Sequence, residues 1–177
     1  VVLFVMILGK LFKTVAYDRQ TIASSSYNSR LGYDSGDFKR GTIYDVDGNV
    51  MAESVKDGDR YKRQYPYGRA AAHITGYTGS GAVGIEAAEN FTLLGLKNEI
   101  SQRAENIRHG VEMQGNDVHL TVDMDIQQLA YELLGNNKGA AVVMNPTTGA
   151  IIAMASTPAY NPNTVNADWN ELSNDSS

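Results

Sequence analysis

The residues of this 177-residue chain that could do chemistry are its serines, three histidines, 20 carboxylates and a basic run. A serine nucleophile needs a base beside its hydroxyl, and a lysine one helical turn further on, as Ser-x-x-Lys, is one way to supply it. No serine here has a lysine three residues later. Ser26-Tyr27-Asn28 makes a Ser-x-Asn element, but it stands alone in a polar stretch, and neither Lys-Thr-Gly nor Gly-x-Ser-x-Gly occurs. His73, His109 and His119 are far apart and lack the His-Glu-x-x-His spacing of a zinc helix. No carboxylate pair stands out for acid/base work. Asp45, Asp47 and Asn49 begin like a calcium loop, yet the twelfth position, where such a loop needs a bidentate Glu, is Lys56. The glycine-rich stretch 76–84 is not followed by Gly-Lys-Ser/Thr and is therefore no phosphate loop. The sequence predicts no catalytic residue, no metal site and no cofactor of its own.

Charge narrows the partners. Net charge is −5, so the field that nucleic-acid binding requires is missing, and DNA or RNA is excluded as an expected partner. Lys56, Arg60, Lys62, Arg63, Arg69 and His73 alternate with Tyr61, Tyr65 and Tyr67. Asp57 and Asp59 dilute this run, which reads as a solvated strand-and-loop face. There are no cysteines, which removes disulfides and thiolate chemistry without fixing the compartment. Hydrophobic residues at 42% and charged residues at 20% are ordinary for a folded chain.

The elements that must position any site can be read in order. The opening residues VVLFVMIL are uniformly apolar and run into Lys10 and Lys13. A bilayer span takes roughly 20 apolar residues, so this reads as the end of a longer hydrophobic helix leading into a stem. Residues 21–36 are rich in Ser, Asn, Gly and Tyr and read as a linker. Residues 40–54 predict a hairpin whose turn, Asp47-Gly48, suits type I′ geometry. A short helix is expected over 85–95, with Glu86 in its first turn, Gly95 as its stop, and Ile85, Ala88 and Leu93 facing the core. Residues 96–114 read as a connection.

After Gly115 the pattern sharpens. Val118, Leu120 and Val122 alternate with polar residues, which predicts a strand with His119 on its polar face. Asp123 is placed to cap a helix over 125–134, with Ile126, Leu129, Ala130 and Leu133 at helical spacing. The apolar runs 139–145 and 149–156, joined at Pro146-Thr147-Thr148, predict an antiparallel hairpin covered on both faces. From Thr157 onward the chain reads as an exposed loop. A sheet opened by one hairpin and followed by nothing reads as a chain cut inside a domain.

Three ordered blocks resemble the class B penicillin-binding proteins. RGTIYDVDGNVMA (40–52) is similar to their first signature at Arg40, Gly41, Ile43, Asp45, Gly48 and Ala52, with Val46 departing from the usual Arg. GYTG…GIEAAENFTLLG (76–95) resembles the second at Gly84, Ile85, Glu86, Asn90, Leu94 and Gly95. Residues 115–127 and 138–163 are similar to the entry into a transpeptidase domain, through Asp123, Gln127, Gly139, Pro146, Gly149 and Ser156 among others, with Asn145, Ala150 and Asn161 replacing more usual acidic residues. The resemblance implies an α+β fold: a partial membrane anchor and stem over 1–27, a β-rich, non-catalytic pedestal over 28–114, and the first strand, helix and hairpin of a transpeptidase domain over 115–177. It implies a single-pass anchor in the bacterial cytoplasmic membrane, with the bulk of the chain outside. It also implies the work of a peptidoglycan D,D-transpeptidase, with a peptidoglycan glycosyltransferase and peptidoglycan as partners. The catalytic serine is expected downstream of this chain. Arg40, Gly41, Asp45, Gly48, Gly84, Glu86, Asn90 and Asp123 are the expected structural or interdomain residues, with Arg40, Asp45 and Glu86 forming a buried or interfacial charge network. The rival from another class is a non-enzymatic cell-wall scaffold that binds the glycosyltransferase.

Overall fold

The computed structural model describes residues 38–79, 82–96 and 114–165, with Met6, Ile7, Gly9, Lys10, Phe12, Lys13 and Arg108 as isolated positions. Most of the apolar start, the linker over 21–36 and most of 96–114 lie outside the described residues.

The described chain is mixed α and β. A four-stranded sheet has the order β3-β2-β1-β4, built from β1 (Ile43–Tyr44), β2 (Val50–Asp57), β3 (Arg60–Gln64) and β4 (Val118–His119). β2 is antiparallel to β1 and β3, whereas β4 runs parallel to β1. The parallel register continues beyond the named strands: Gly115 N–H donates to Lys39 O, Leu120 N–H to Tyr44 O, and Val46 N–H to Val122 O, each at 2.9 Å. Residues 39–46 are thereby clamped along 115–122 from a distant part of the chain. The expected strand around Val118 is present but short, and exposed His119 stacks on Tyr44 with ring centroids 4.9 Å apart.

The turn between β1 and β2 differs from the expectation. Gly48 takes a positive φ of 88°, but among the described residues no non-glycine residue does, and type I′ needs two such residues in succession. The turn is closed by Asp45, whose backbone carbonyl accepts from Gly48 N–H at 3.3 Å and whose side chain accepts from the N–H groups of Asp47 (3.0 Å) and Asn49 (2.7 Å).

A 3₁₀ turn at Gly68–Ala70 leads to α1 (Ala72–Thr75). The single helix expected over 85–95 is two short ones, α2 (Gly84–Ala88) and α3 (Asn90–Leu93), with Gly95 at φ 63° after them. Ala88 faces solvent and the inward positions are Glu86, Asn90 and Leu93, because the chain turns at Glu89 and carries the charged face inside. The core gathers Ile43, Met51, Ala52, Tyr65, Ile74, Leu93, Val122 and Met124.

The second half is α4 (Met124–Leu134) against a two-stranded antiparallel sheet of β5 (Gly139–Met144) and β6 (Ile151–Thr157). The hairpin pairs as expected, and Asn145 Oδ1 closes its turn by accepting from Thr147 and Thr148 N–H. Its coverage does not match the expectation. β5 is exposed along most of its length, with Val142 at 59% and Met144 at 53%. The expected apolar face of α4 is open too, since Leu129 and Leu133 are exposed and the buried side chains are Met124 and Gln127. The segment after Thr157 is packed rather than loose as far as it is described: Tyr160 OH donates to Ala72 O at 2.8 Å, and Val165 is buried.

Candidate functional site

The residues singled out by sequence separate into a buried charge hub and a pair of polar joints. Arg40 leaves the chain just before β1 and reaches α2 and α3. Its Nε donates to Glu86 Oε2 at 2.6 Å, its Nη2 to the Glu86 backbone carbonyl at 2.7 Å, and its Nη1 to Asn90 Oδ1 at 2.6 Å. Arg63 arrives from β3 on the other side, with Nε on Glu86 Oε1 at 2.7 Å and Nη1 on Gly41 O at 2.8 Å. Glu86 is fully buried and both arginine side chains are 5% exposed. One carboxylate thus answers two guanidiniums, which leaves the trio at a formal +1. Among the described residues, Arg63 Nη2 and Asn90 Nδ2 are buried without a hydrogen-bond partner. Tyr65 places its hydroxyl 3.5 Å from Glu86 Oε1. Burial, helped by the Glu86 charge, pushes that phenol far above its usual value.

Arg63 was missed by sequence reasoning, which put it on a solvated face. The only available signal was its place in the 60–64 alternation, where it shares a face with Tyr61 and Tyr65. Gly41 is tied to the hub by contact: its N–H donates to Leu93 O at 2.9 Å, and a Cβ there would overlap the backbone of Asn116. Gly84 opens α2 at φ 63°, packed on the backbone of Gly76.

Asp45 does not join the hub. Besides the turn N–H groups it accepts from Asn49 Nδ2 at 2.9 Å and, through Oδ2, from Met124 N–H at 3.4 Å at the start of α4. Burial works against its charge, but the bonds from the Asn49 side chain and from Asn49, Met124 and Asp47 N–H outweigh it and hold the carboxyl below its usual value. Those donors make it a turn-and-helix acceptor, with its oxygens engaged by N–H groups rather than open to a calcium ion. Asp123 caps α4, accepting from Asp125 and Ile126 N–H at 2.9 and 3.1 Å.

Two amides join the halves of the chain. Buried Gln127 on α4 accepts from Met154 N–H at 2.7 Å and donates to Met154 O at 3.1 Å and Ala70 O at 2.6 Å. It imitates a peptide group along the outer edge of β6 while holding the 3₁₀ turn. Asn163 does the same for Tyr65, donating to its carbonyl and accepting from its N–H, both at 3.0 Å. Hydrogen bonding to both main-chain groups of one residue fixes register as well as distance. Among the described residues no group of three or more His, Cys, Asp or Glu could hold a metal ion. The hub is an organising centre; it holds no nucleophile beside a base.

The site is thus a two-arginine hub under a small sheet, with a helix-backed hairpin joined to that sheet by the two amides. Residues 40–118 match the family described as "Penicillin binding protein A dimerisation domain", and residues 139–176 match "Penicillin binding protein transpeptidase domain". The chain is 32% identical over 172 residues to Peptidoglycan D,D-transpeptidase PbpA of Mycolicibacterium smegmatis, covering 92% of this chain and 35% of that protein. To Peptidoglycan D,D-transpeptidase MrdA of Escherichia coli it is 33% identical over 135 residues, covering 58% and 21%. The structure of penicillin-binding protein A from M. tuberculosis, as an imipenem acyl-enzyme complex, superposes with a TM-score of 0.73 at 27% identity, covering 81% of this chain and 37% of that one. The D,D-transpeptidase domain of a peptidoglycan glycosyltransferase from Eggerthella lenta gives 0.65 at 42%, covering 80% and 31%. The chain belongs to the class B penicillin-binding proteins. It spans about a third of the length of PbpA, and these relatives carry enzyme names, which lends the scaffold reading no support.

Proposed function

We propose that this chain is the supporting, non-catalytic portion of a peptidoglycan D,D-transpeptidase, together with the first elements of its transpeptidase domain. The pedestal runs over 28–114 and the transpeptidase start over 115–177, with 1–27 the stem and end of a single-pass anchor in the bacterial cytoplasmic membrane. No helix among the described residues is long and apolar enough to cross a membrane, and the anchor rests on the apolar opening and the resemblance. The partners are peptidoglycan, through an acyl-serine formed elsewhere in the protein, and a peptidoglycan glycosyltransferase.

The observation that carries the reading is the pairing of roles. A buried hub ties 40, 63 and 86 together, and the Gln127 and Asn163 amides fasten the later segment to the 3₁₀ turn at Ala70 and to Tyr65 beside the hub. Such joints set the orientation of whatever is built on β5 and β6, which is what a support must do for a catalytic constellation that tolerates little misplacement. Arg40, Gly41, Glu86 and Asn90 are its internal frame; Asp45 links the β1–β2 turn to α4, Gly48 shapes that turn, and Asp123 caps α4.

Two measurements test it. The 177-residue chain incubated with a fluorescent penicillin should stay unlabelled, and labelling at any residue defeats the assignment of chemistry to residues outside it. Sequencing the coding region beyond Ser177 should reveal a Ser-x-x-Lys within a few tens of codons; an immediate stop codon would favour the scaffold instead.

A further inference from the structure

Strands β2 and β3 sort their charges by face. Residues that pair directly across antiparallel strands share a face, and successive residues alternate between faces. Glu53 with Gln64, Val55 with Lys62 and Asp57 with Arg60 therefore lie on one face, where carboxylates and cations balance. Ser54 with Arg63 and Lys56 with Tyr61 lie on the other, to which β2 and β3 contribute no carboxylate. At its inner end that second face meets the charge hub, where Glu86 is spent on Arg40 and Arg63. Towards the β2–β3 turn it forms a cavity of about 270 Å³ lined by Lys39, Ser54, Lys56, Tyr61 and Gln114. Lys39 and Gln114 are bridged to each other in parallel, which continues the pairing of β1 with β4 and gives the cavity a main-chain wall. The lining holds two ammonium groups and no carboxylate, in a chain whose net charge is −5. Ser54 joins the cavity to the hub, since its Oγ accepts from Arg63 Nη1 at 3.3 Å. A hydroxyl that accepts from a guanidinium is polarised into a better donor towards an anion.

We infer that this cavity binds a small hydroxylated carboxylate, of the sugar-acid class. The negative charge follows from Lys39 and Lys56, whose ammonium groups have no counter-charge in the lining. The hydroxyls follow from Ser54, Tyr61 and Gln114, whose side chains both donate and accept and so match neutral groups that lysines alone would leave unmet. Tyr61 adds an aromatic ring with a polar tip, suited to an occupant that is apolar on its ring faces and wet at its rim. The size sets the limit. A volume of about 270 Å³ lies below the roughly 300–1,000 Å³ of sites for drug-sized molecules, which fits a single ring rather than a chain of them. An inorganic oxyanion would engage the lysines and leave the rest of the lining to water. Every residue involved lies between 39 and 114, so the inference is independent of the transpeptidase assignment.

Isothermal titration calorimetry of the 177-residue chain, at low ionic strength and in detergent that accommodates the apolar opening, tests it with glucuronate, glucose and inorganic phosphate as titrants. Glucuronate should bind, with glucose and phosphate each weaker by about tenfold or more. Its affinity should fall as salt is added, because Lys56 is exposed and its charge is screened. Lys56→Glu should abolish binding and leave the circular dichroism spectrum unchanged. Lys62→Glu, the same charge reversal on the opposite face of the sheet, should leave binding as it was. Glucose binding as tightly as glucuronate would refute the role of the two lysines, and phosphate binding as tightly would refute the hydroxylated ligand. Equal loss through Lys62→Glu would place the binding elsewhere, and no glucuronate binding at low salt would overturn the inference as a whole.

Discussion

Replacing Glu86 by Gln keeps the shape of the side chain and removes the one negative charge of the hub. Arg40 and Arg63 then face each other across a site where Glu86 has no solvent exposure and each arginine side chain has 5%. Taking away one member of a buried ion pair costs about 3–5 kcal/mol, because the remaining charge keeps its desolvation penalty. Here two charges lose their counter-ion, and the trio goes from +1 to +2, so the upper half of that range applies. Total stability of a domain is about 5–15 kcal/mol, and each kcal/mol is worth roughly 2–4 °C in a chain of this size, so the midpoint should drop on the order of 10 °C. Thermal unfolding followed by circular dichroism measures the midpoint, and urea titration the free energy. Arg63→Met should cost less than Glu86→Gln, since it leaves Arg40 and Glu86 as a balanced pair and deletes the unpartnered Nη2. The double variant should be milder than the sum of the two. A Glu86→Gln cost under about 1 kcal/mol, the value of an exposed pair, or an Arg63→Met cost equal to it, would refute the charge argument.

Asp45 has its folded pKa below the unfolded value of about 3.9, so its contribution is complete above that value and is lost as pH falls through it toward the folded pKa; Asp45→Asn should flatten that acid limb in pH-dependent unfolding. Gly41→Ala would drive a Cβ into the carbonyl of Asn116, and soluble yield and thermal midpoint should both fall. Gln127→Leu leaves Met154 and Ala70 with unmet backbone groups, at about 1–3 kcal/mol each, and hydrogen exchange should speed up first at Met154 N–H.

Local signals were legible and long-range ones were not. Asp123 could be recognised as a cap because its acceptor geometry involves only the next three residues. The β5–β6 pairing followed from two apolar runs with a short turn between them. Glu86 and Arg40 stood out through resemblance, whereas Arg63 did not, because a basic run in an acidic chain looks solvated until a partner 23 residues away is placed against it. Helical spacing at Ile126, Leu129, Ala130 and Leu133 marked one apolar face, yet periodicity reports only that a face is apolar, and Ile126, Leu129 and Leu133 are exposed among the described residues. Gln127 is the reverse case: a polar residue that sequence would put outside is buried because it replaces a strand neighbour.

The clasp between Asn163 and Tyr65 connects positions 98 residues apart, and Tyr65 also borders the charge hub. A thermal or chemical insult that loosens the hairpin therefore tugs on the amino-terminal sheet at the same moment. Probes planted in either half should melt along one shared curve, and a protease that opens one should find the other already yielding.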